Sequence, residues 1–323
     1  MKWVLTEPGR IRAVSDTESE YAEKPGWVRL RVQYCGICRT DAKMWREGHR
    51  DLVFPRVPGH EVCAEDASGK RFAVWPGRSC GQCRYCLTGR ENLCDAMEIM
   101  GFHVDGGFSR FLLAPMESLI PVDAAMSPHL VCFAEPVGCV IHAVESLHLK
   151  QGERLAIFGG GTLGLAAALA ARQNGAVPLV IEKNPKKIER AQNFLDLCGI
   201  FAATGPGADE FDAAITACPD PAAFGDALSG LAKGGRFSFF SGLAKDAAIQ
   251  TQQLNLFHYR EISLFGAYGL TRRHMEAALS LIADQAPAFS LLVEKIVSPD
   301  ALGEQFPLVL KGEGFRRIVD LTG

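Results

Sequence analysis

Leu155-Ala156-Ile157-Phe158-Gly159-Gly160-Gly161-Thr162-Leu163-Gly164 decides how the second half of this chain folds. The four apolar residues read as a buried strand and the glycines as a tight turn. The Ala/Leu-rich run Thr162–Asn174 reads as a helix ended by Gly175, where a helix C-cap glycine belongs. Further strand candidates follow at Pro178–Glu182, Asp212–Thr216, Arg236–Phe240 and Ile262–Gly266, separated by helix-like stretches. Strand and helix in alternation predict an α/β fold built on a doubly wound parallel sheet.

The turn itself points to a dinucleotide. Gly159 permits the tight bend, Gly161 lets the backbone approach a pyrophosphate, and Gly164 allows close helix packing. Thr162 and Leu163 open the helix, whose free N–H groups face an anion. Glu182, eighteen residues past Gly164, can accept two hydrogen bonds from an adenosine ribose and would repel a 2′-phosphate. NAD is therefore favoured over NADP, although Lys183, Lys186 and Lys187 weaken the exclusion.

Upstream of the turn the texture is β. Val28–Val32 alternates, and Glu61–Ala64 and Arg71–Val74 look like short strands among Gly and Pro turns. Composition changes near Ser127. Residues 1–126 are thus expected to form a β-rich domain, 127–268 the dinucleotide-binding domain, and 269–323 a closing segment. That segment holds helices at Arg272–Ala283 and Pro299–Leu310 and a last strand, Arg317–Leu321, which pairs back into the first domain.

Two sets of metal-ligand residues lie in the β-rich part. Cys80-x2-Cys83-x2-Cys86-x7-Cys94 sits in a polar, glycine-punctuated lobe, residues 80–94, that has little apolar material to bury. Tetrathiolate zinc supplies the folding energy such a segment lacks. The second set is scattered: Cys35 or Cys38, His60 and Glu61 after Pro58-Gly59, and Glu135 inside the apolar run Val131–Ile141. On spacing alone either cysteine serves, and His60 reads equally well as a hydrogen-bonded core histidine. One thiolate, one neutral imidazole and one carboxylate would neutralise Zn²⁺ and still acidify a bound alcohol or water. Adding Glu61 would make the site net negative, so Glu61 is read as an exchangeable or outer ligand.

Composition narrows the alternatives. The chain has 323 residues, 34 Lys+Arg against 37 Asp+Glu, and a net charge of −3, with no long block of one sign, which argues against nucleic acid or an anionic membrane as a partner. Met1–Glu7 lacks an apolar signal region. Eleven cysteines, five of them in metal-like spacings, argue against a disulfide scaffold and for a reducing cytoplasm. Cys35, Cys63, Cys132, Cys139, Cys198 and Cys218 read as small core residues.

These motifs, with Gly36-Ile-Cys-Arg-Thr-Asp41, Asp105-Gly-Gly-Phe108, Glu135-Pro136 and Tyr259–Tyr268, resemble the zinc-dependent medium-chain alcohol dehydrogenases, in particular their polyol (sorbitol) and threonine dehydrogenase-like branch. The resemblance spans most of the chain, in the family's order. It implies a GroES-like catalytic domain with a Rossmann domain inserted before the last segment, two zinc ions per chain, NAD, an alcohol or ketone substrate, and a homo-oligomer, dimer or tetramer. It selects Cys38 over Cys35 as the ligand and places Glu135 where other branches use cysteine. Thr40 matches the hydroxyl that receives the alcohol proton, and Lys187 a lysine near the adenosine ribose.

Two positions depart from the pattern. Arg39 stands where the polyol branch often has glycine, and matches a pyrophosphate-contacting arginine of the classical branch. Lys43 occupies the place of a frequent relay histidine. The basic stretch Lys43–Arg50 is read either as a solvated surface or as a contact for an anionic substrate group. Two rival readings share the architecture: a zinc-free NADPH-dependent quinone or enoyl reductase, and a non-catalytic dinucleotide-sensing protein. Zinc stoichiometry separates them, since neither needs Cys38, His60 and Glu135 together.

Overall fold

The computed structural model describes residues 1–22, 24–208, 210–243 and 248–323. They form two compact units, one from Met1–Gly138 with Leu270–Gly323 and the other from Cys139–Gly269. The expected division at 126/127 falls inside the first unit.

The first unit is organised on a seven-stranded sheet in the order Val293–Val297, Arg316–Asp320, Trp27–Gly36, Glu61–Glu65, Arg71–Val74 and Leu119–Pro121, with Phe111–Pro115 on the first half of Trp27–Gly36. The closing strand pairs antiparallel with Trp27–Gly36, so the chain's end returns to the first domain as the sequence suggests. Leu30, Val32, Val62, Phe108, Phe306 and Val319 are fully buried around this sheet, each worth roughly 1.5–3 kcal/mol against exposure.

Register sets the site. Gly36 faces Glu61 on one side and Ile318 on the other. A Cβ on Gly36 would stand 2.1 Å from Glu61 Oε2, so glycine there leaves room for the Glu61 carboxylate. Directly after Gly36 the chain turns into helix Arg39–Glu47, capped by Cys38, which strand-oriented reading of this region did not anticipate. The expected helix Pro299–Leu310 is a 3-10 turn, Pro299–Ala301, followed by helix Leu302–Lys311 with Pro307 inside it.

The second unit is a six-stranded, wholly parallel sheet: Phe201–Ala203, Val177–Ile181, Arg154–Phe158, Phe211–Thr216, Leu231–Phe239 and Ser263–Gly266. Strand Arg154–Phe158 is buried beyond its first residue, as a strand covered on both faces must be. Helix Thr162–Gln173 buries Leu165 through Ala171 and ends beside Gly175, which adopts a left-handed φ of +81°. The chain leaves Arg154–Phe158 to one side for Val177–Ile181 and later returns on its other side for Phe211–Thr216. That switch point, at the carboxyl ends of the strands, is where open α/β sheets take ligands.

Candidate functional site

In the first unit, Cys38, His60 and Glu61 each offer a ligand atom within 4.8 Å of the others. Cys38 is placed as the cap of helix Arg39–Glu47, where its sulfur accepts the Thr40 N–H at 3.4 Å. His60 precedes and Glu61 begins the strand that pairs with Gly36. Both are buried, and His60 Nδ1 and Glu61 Oε2 lack hydrogen-bond partners. Buried polar atoms left this way are costly, and a thiol, an imidazole and a carboxylate converging on one point are the donors Zn²⁺ takes. The residues therefore fit a metal.

Asp41 organises this cluster, a role the sequence reading did not give it. Its Oδ2 accepts the Cys38 N–H at 2.9 Å and its Oδ1 the Gly59 N–H at 3.2 Å, fixing the ligand loop to the ligand strand. Oδ1 also lies 3.3 Å from His60 Nδ1, out of line for a hydrogen bond. Burial alone would depress the imidazolium, but Asp41 and the Cys38 sulfur hold the His60 pKa well above its ordinary value.

Arg316 is the second residue not foreseen. Its Nη1 donates to Glu61 Oε1 at 2.8 Å and to the Ile37 carbonyl at 3.2 Å. Burial pushes the Glu61 carboxyl up to about 7 against the pull of Arg316. Glu135, in the first turn of helix Ala134–Glu145, is outside the 4.8 Å group, but its charge raises the pKa of both Glu61 and Arg316.

Of the remaining first-unit residues, Thr40 and Lys43 are half-buried on helix Arg39–Glu47, three apart and hence on one face. Arg39 is exposed and reaches toward Gly312. Arg46 pairs with Glu47 at 2.8 Å and Arg50 with Asp51 at 3.3 Å, all on the surface.

Cys80, Cys83, Cys86 and Cys94 also gather within 4.8 Å of one another. The Cys83–Cys86 and Cys80–Cys86 sulfur separations, 3.5 and 4.0 Å, bracket the roughly 3.8 Å edge of a tetrahedron with 2.3 Å Zn–S bonds. Backbone N–H groups, that of Cys86 first, draw the Cys83 thiol down to about 6. The lobe's two 3-10 turns, Cys86–Thr88 and Glu91–Leu93, bury no side chain.

The glycine turn of the second unit has the shape its sequence requires. Gly159 sits at φ +115°, and a Cβ there would stand 3.0 Å from the Ala217 carbonyl oxygen. On Gly164 a Cβ would lie 1.8 Å from Gly159 O, whereas on Gly161 it would meet nothing within 4 Å. Gly161 thus borders open space at the N-terminus of helix Thr162–Gln173, which has no side-chain cap over Thr162 and Leu163. Free N–H groups facing an open approach suit a pyrophosphate.

Glu182 follows strand Val177–Ile181 directly. Its Oε2 accepts the Gly160 N–H at 3.0 Å and pairs with Lys187 Nζ at 2.9 Å, while its Oε1 accepts the Asn184 N–H at 3.0 Å. Burial works against the carboxylate, but the Asn184 N–H, Lys187 and the Gly160 N–H together lower its pKa. Of the six cysteines read as core residues, Cys35, Cys63, Cys132 and Cys198 are buried and Cys139 and Cys218 half-buried.

Comparison with known proteins places these features in company. Residues 24–124 match the alcohol dehydrogenase GroES-like domain. L-galactonate-5-dehydrogenase of Escherichia coli (strain K12) is 33% identical over 198 residues, 58% of this chain, and the chain spans only 57% of that relative's length. D-altritol 5-dehydrogenase of Agrobacterium fabrum is 29% identical over 307 residues, 89% of each chain. The crystal structure of L-idonate 5-dehydrogenase from Escherichia coli K-12 superposes with a TM-score of 0.88 at 22% identity, covering 99% of this chain and 97% of the other. Among the described residues, no helix is long and apolar enough to cross a membrane.

Proposed function

We propose that this chain, which belongs to the zinc-dependent medium-chain alcohol dehydrogenases in their polyol dehydrogenase branch, oxidises a secondary hydroxyl of a sugar acid or sugar alcohol with NAD⁺. The observation that carries this reading is the convergence of Cys38, His60 and Glu61 within 4.8 Å, with His60 Nδ1 and Glu61 Oε2 buried and without hydrogen-bond partners. Relatives named for oxidation at position 5 of L-galactonate and D-altritol supply the substrate class.

Cys38, His60 and Glu135 hold the catalytic zinc, with Glu61 as an exchangeable ligand kept back by Arg316. Zn²⁺ in that donor set supplies Lewis acidity, which lowers the pKa of a substrate hydroxyl. Asp41 anchors the Cys38 loop and steadies His60. The Thr40 hydroxyl accepts the substrate proton, and Lys43 on the same helix face passes it toward solvent. Cys80, Cys83, Cys86 and Cys94 hold a second, structural zinc.

Gly159, Gly161 and Gly164 shape the pyrophosphate cradle, and Thr162 and Leu163 present backbone N–H groups to it. Glu182 accepts the ribose hydroxyls, with Lys187 beside it, which favours NAD. The dinucleotide supplies the hydride acceptor. Strand Ser263–Gly266 ends its sheet with Leu264 47% exposed, and self-association through that edge is part of the same reading, as is a reducing cytoplasm for the eleven free thiols.

The test is dinucleotide reduction over a panel of L-galactonate, L-idonate, D-altritol, sorbitol, L-threonine and simple primary alcohols. Turnover confined to the polyhydroxylated secondary alcohols is expected. NADH formation from none of the secondary alcohols by zinc-replete protein would remove the proposal.

A further inference from the structure

Lys183 and Asp220 join hands across the mouth of the glycine turn. Lys183 follows strand Val177–Ile181 and Asp220 follows Phe211–Thr216, while Arg154–Phe158, which carries the turn, lies between those two strands. Lys183 Nζ donates to Asp220 Oδ2 at 2.6 Å. Asp220 is itself held, because its Oδ1 caps helix Pro221–Ser229 through the Ala222 N–H at 3.0 Å. The loop bearing it also packs on the turn: a Cβ on Gly159 would stand 3.1 Å from Cys218 Cβ.

Two of the three lysines after this strand are held by carboxylates near the place proposed for the adenosine ribose, Lys187 by Glu182 and Lys183 by Asp220, while Lys186 is exposed. A 2′-phosphate carries a charge near −2 and needs an uncompensated cation. Neither Lys183 nor Lys187 offers one. We propose that Asp220 is a determinant of dinucleotide preference: by engaging Lys183 it withholds the cation that a 2′-phosphate would use, and so reinforces the exclusion of NADP begun by Glu182. This inference rests on the dinucleotide reading of the second unit.

The experiment is a fluorescence titration of NADH and NADPH against the parent chain, Asp220→Asn, and Asp220→Asn/Lys183→Ala. Asparagine caps a helix as well as aspartate does, so the fold is kept, and a thermal melt checks it. In Asp220→Asn the Kd for NADPH falls about three- to fivefold, the size of an exposed charge contact, while that for NADH moves less than about twofold. Adding Lys183→Ala removes the gain. Unchanged NADPH affinity in Asp220→Asn, a gain that survives Lys183→Ala, or a parent chain that binds both dinucleotides equally overturns the inference while leaving dinucleotide binding intact. A parent chain that binds neither overturns the dinucleotide reading as well.

Discussion

Arg316 Nη1 lies 2.8 Å from Glu61 Oε1, with both side chains shut away from water. The pair joins the last strand of the chain to the strand that Glu61 begins, directly after His60. Removing one partner of a buried pair strands the other's charge. Arg316→Met is expected to cost about 3–5 kcal/mol in urea unfolding. The double variant Arg316→Met/Glu61→Gln should recover part of that loss, because neither charge is then left alone. Additive losses would show that the two side chains are not coupled.

Two glycines of the turn separate folding from binding. Gly164→Ala drives a Cβ to 1.8 Å from a backbone oxygen and should lower both the melting temperature and dinucleotide affinity. Gly161→Ala meets open space, so the melting temperature should hold within about 2 °C, a change on the order of 1 kcal/mol or less, while NADH affinity falls. A large loss of stability in Gly161→Ala would contradict the assignment of that space to the pyrophosphate.

Glu182 provides the pH test. Its folded-state pKa is lowered from 4.5 despite burial, by the Asn184 N–H, Lys187 and the Gly160 N–H. A depressed carboxylate stabilises the fold above its unfolded pKa and loses that contribution as pH falls through the folded one. Parent and Glu182→Gln should therefore differ in stability at neutral pH and converge below about pH 4.5. A gap that widened on acidification would reverse the sign and refute the carboxylate's role.

The four-cysteine lobe has no buried side chain in its short turns, so under the proposed reading its order comes from a thiolate-bound metal. Removal of zinc by chelator, or Cys83→Ser, should open residues 80–94 to protease while the Cys139–Gly269 unit stays protected. Equal protection of the lobe without metal would show that packing suffices.

How much of this was readable follows from distance along the chain. The parallel sheet was legible because each strand–helix unit carries its own signal, and Gly159, Gly161 and Gly164 stand within six residues. The tetrathiolate group is equally local. Arg316 was not legible: it meets Glu61 across 255 residues, and only the antiparallel register of the closing strand brings them together. Asp41 was given no role of its own, because an aspartate in the first turn of a helix is commonplace. Its double grip on Cys38 and Gly59 depends on a helix start that the alternating pattern upstream did not announce.

Under the proposed function, Cys38 holds a metal on which turnover depends. The most direct measurement is NAD⁺-dependent oxidation of the preferred secondary alcohol by Cys38→Ala, with zinc content determined on the same preparation. About two zinc ions per parent chain and one in the variant are expected, with turnover lost and NADH binding kept. Turnover retained by Cys38→Ala with one zinc still bound would contradict it.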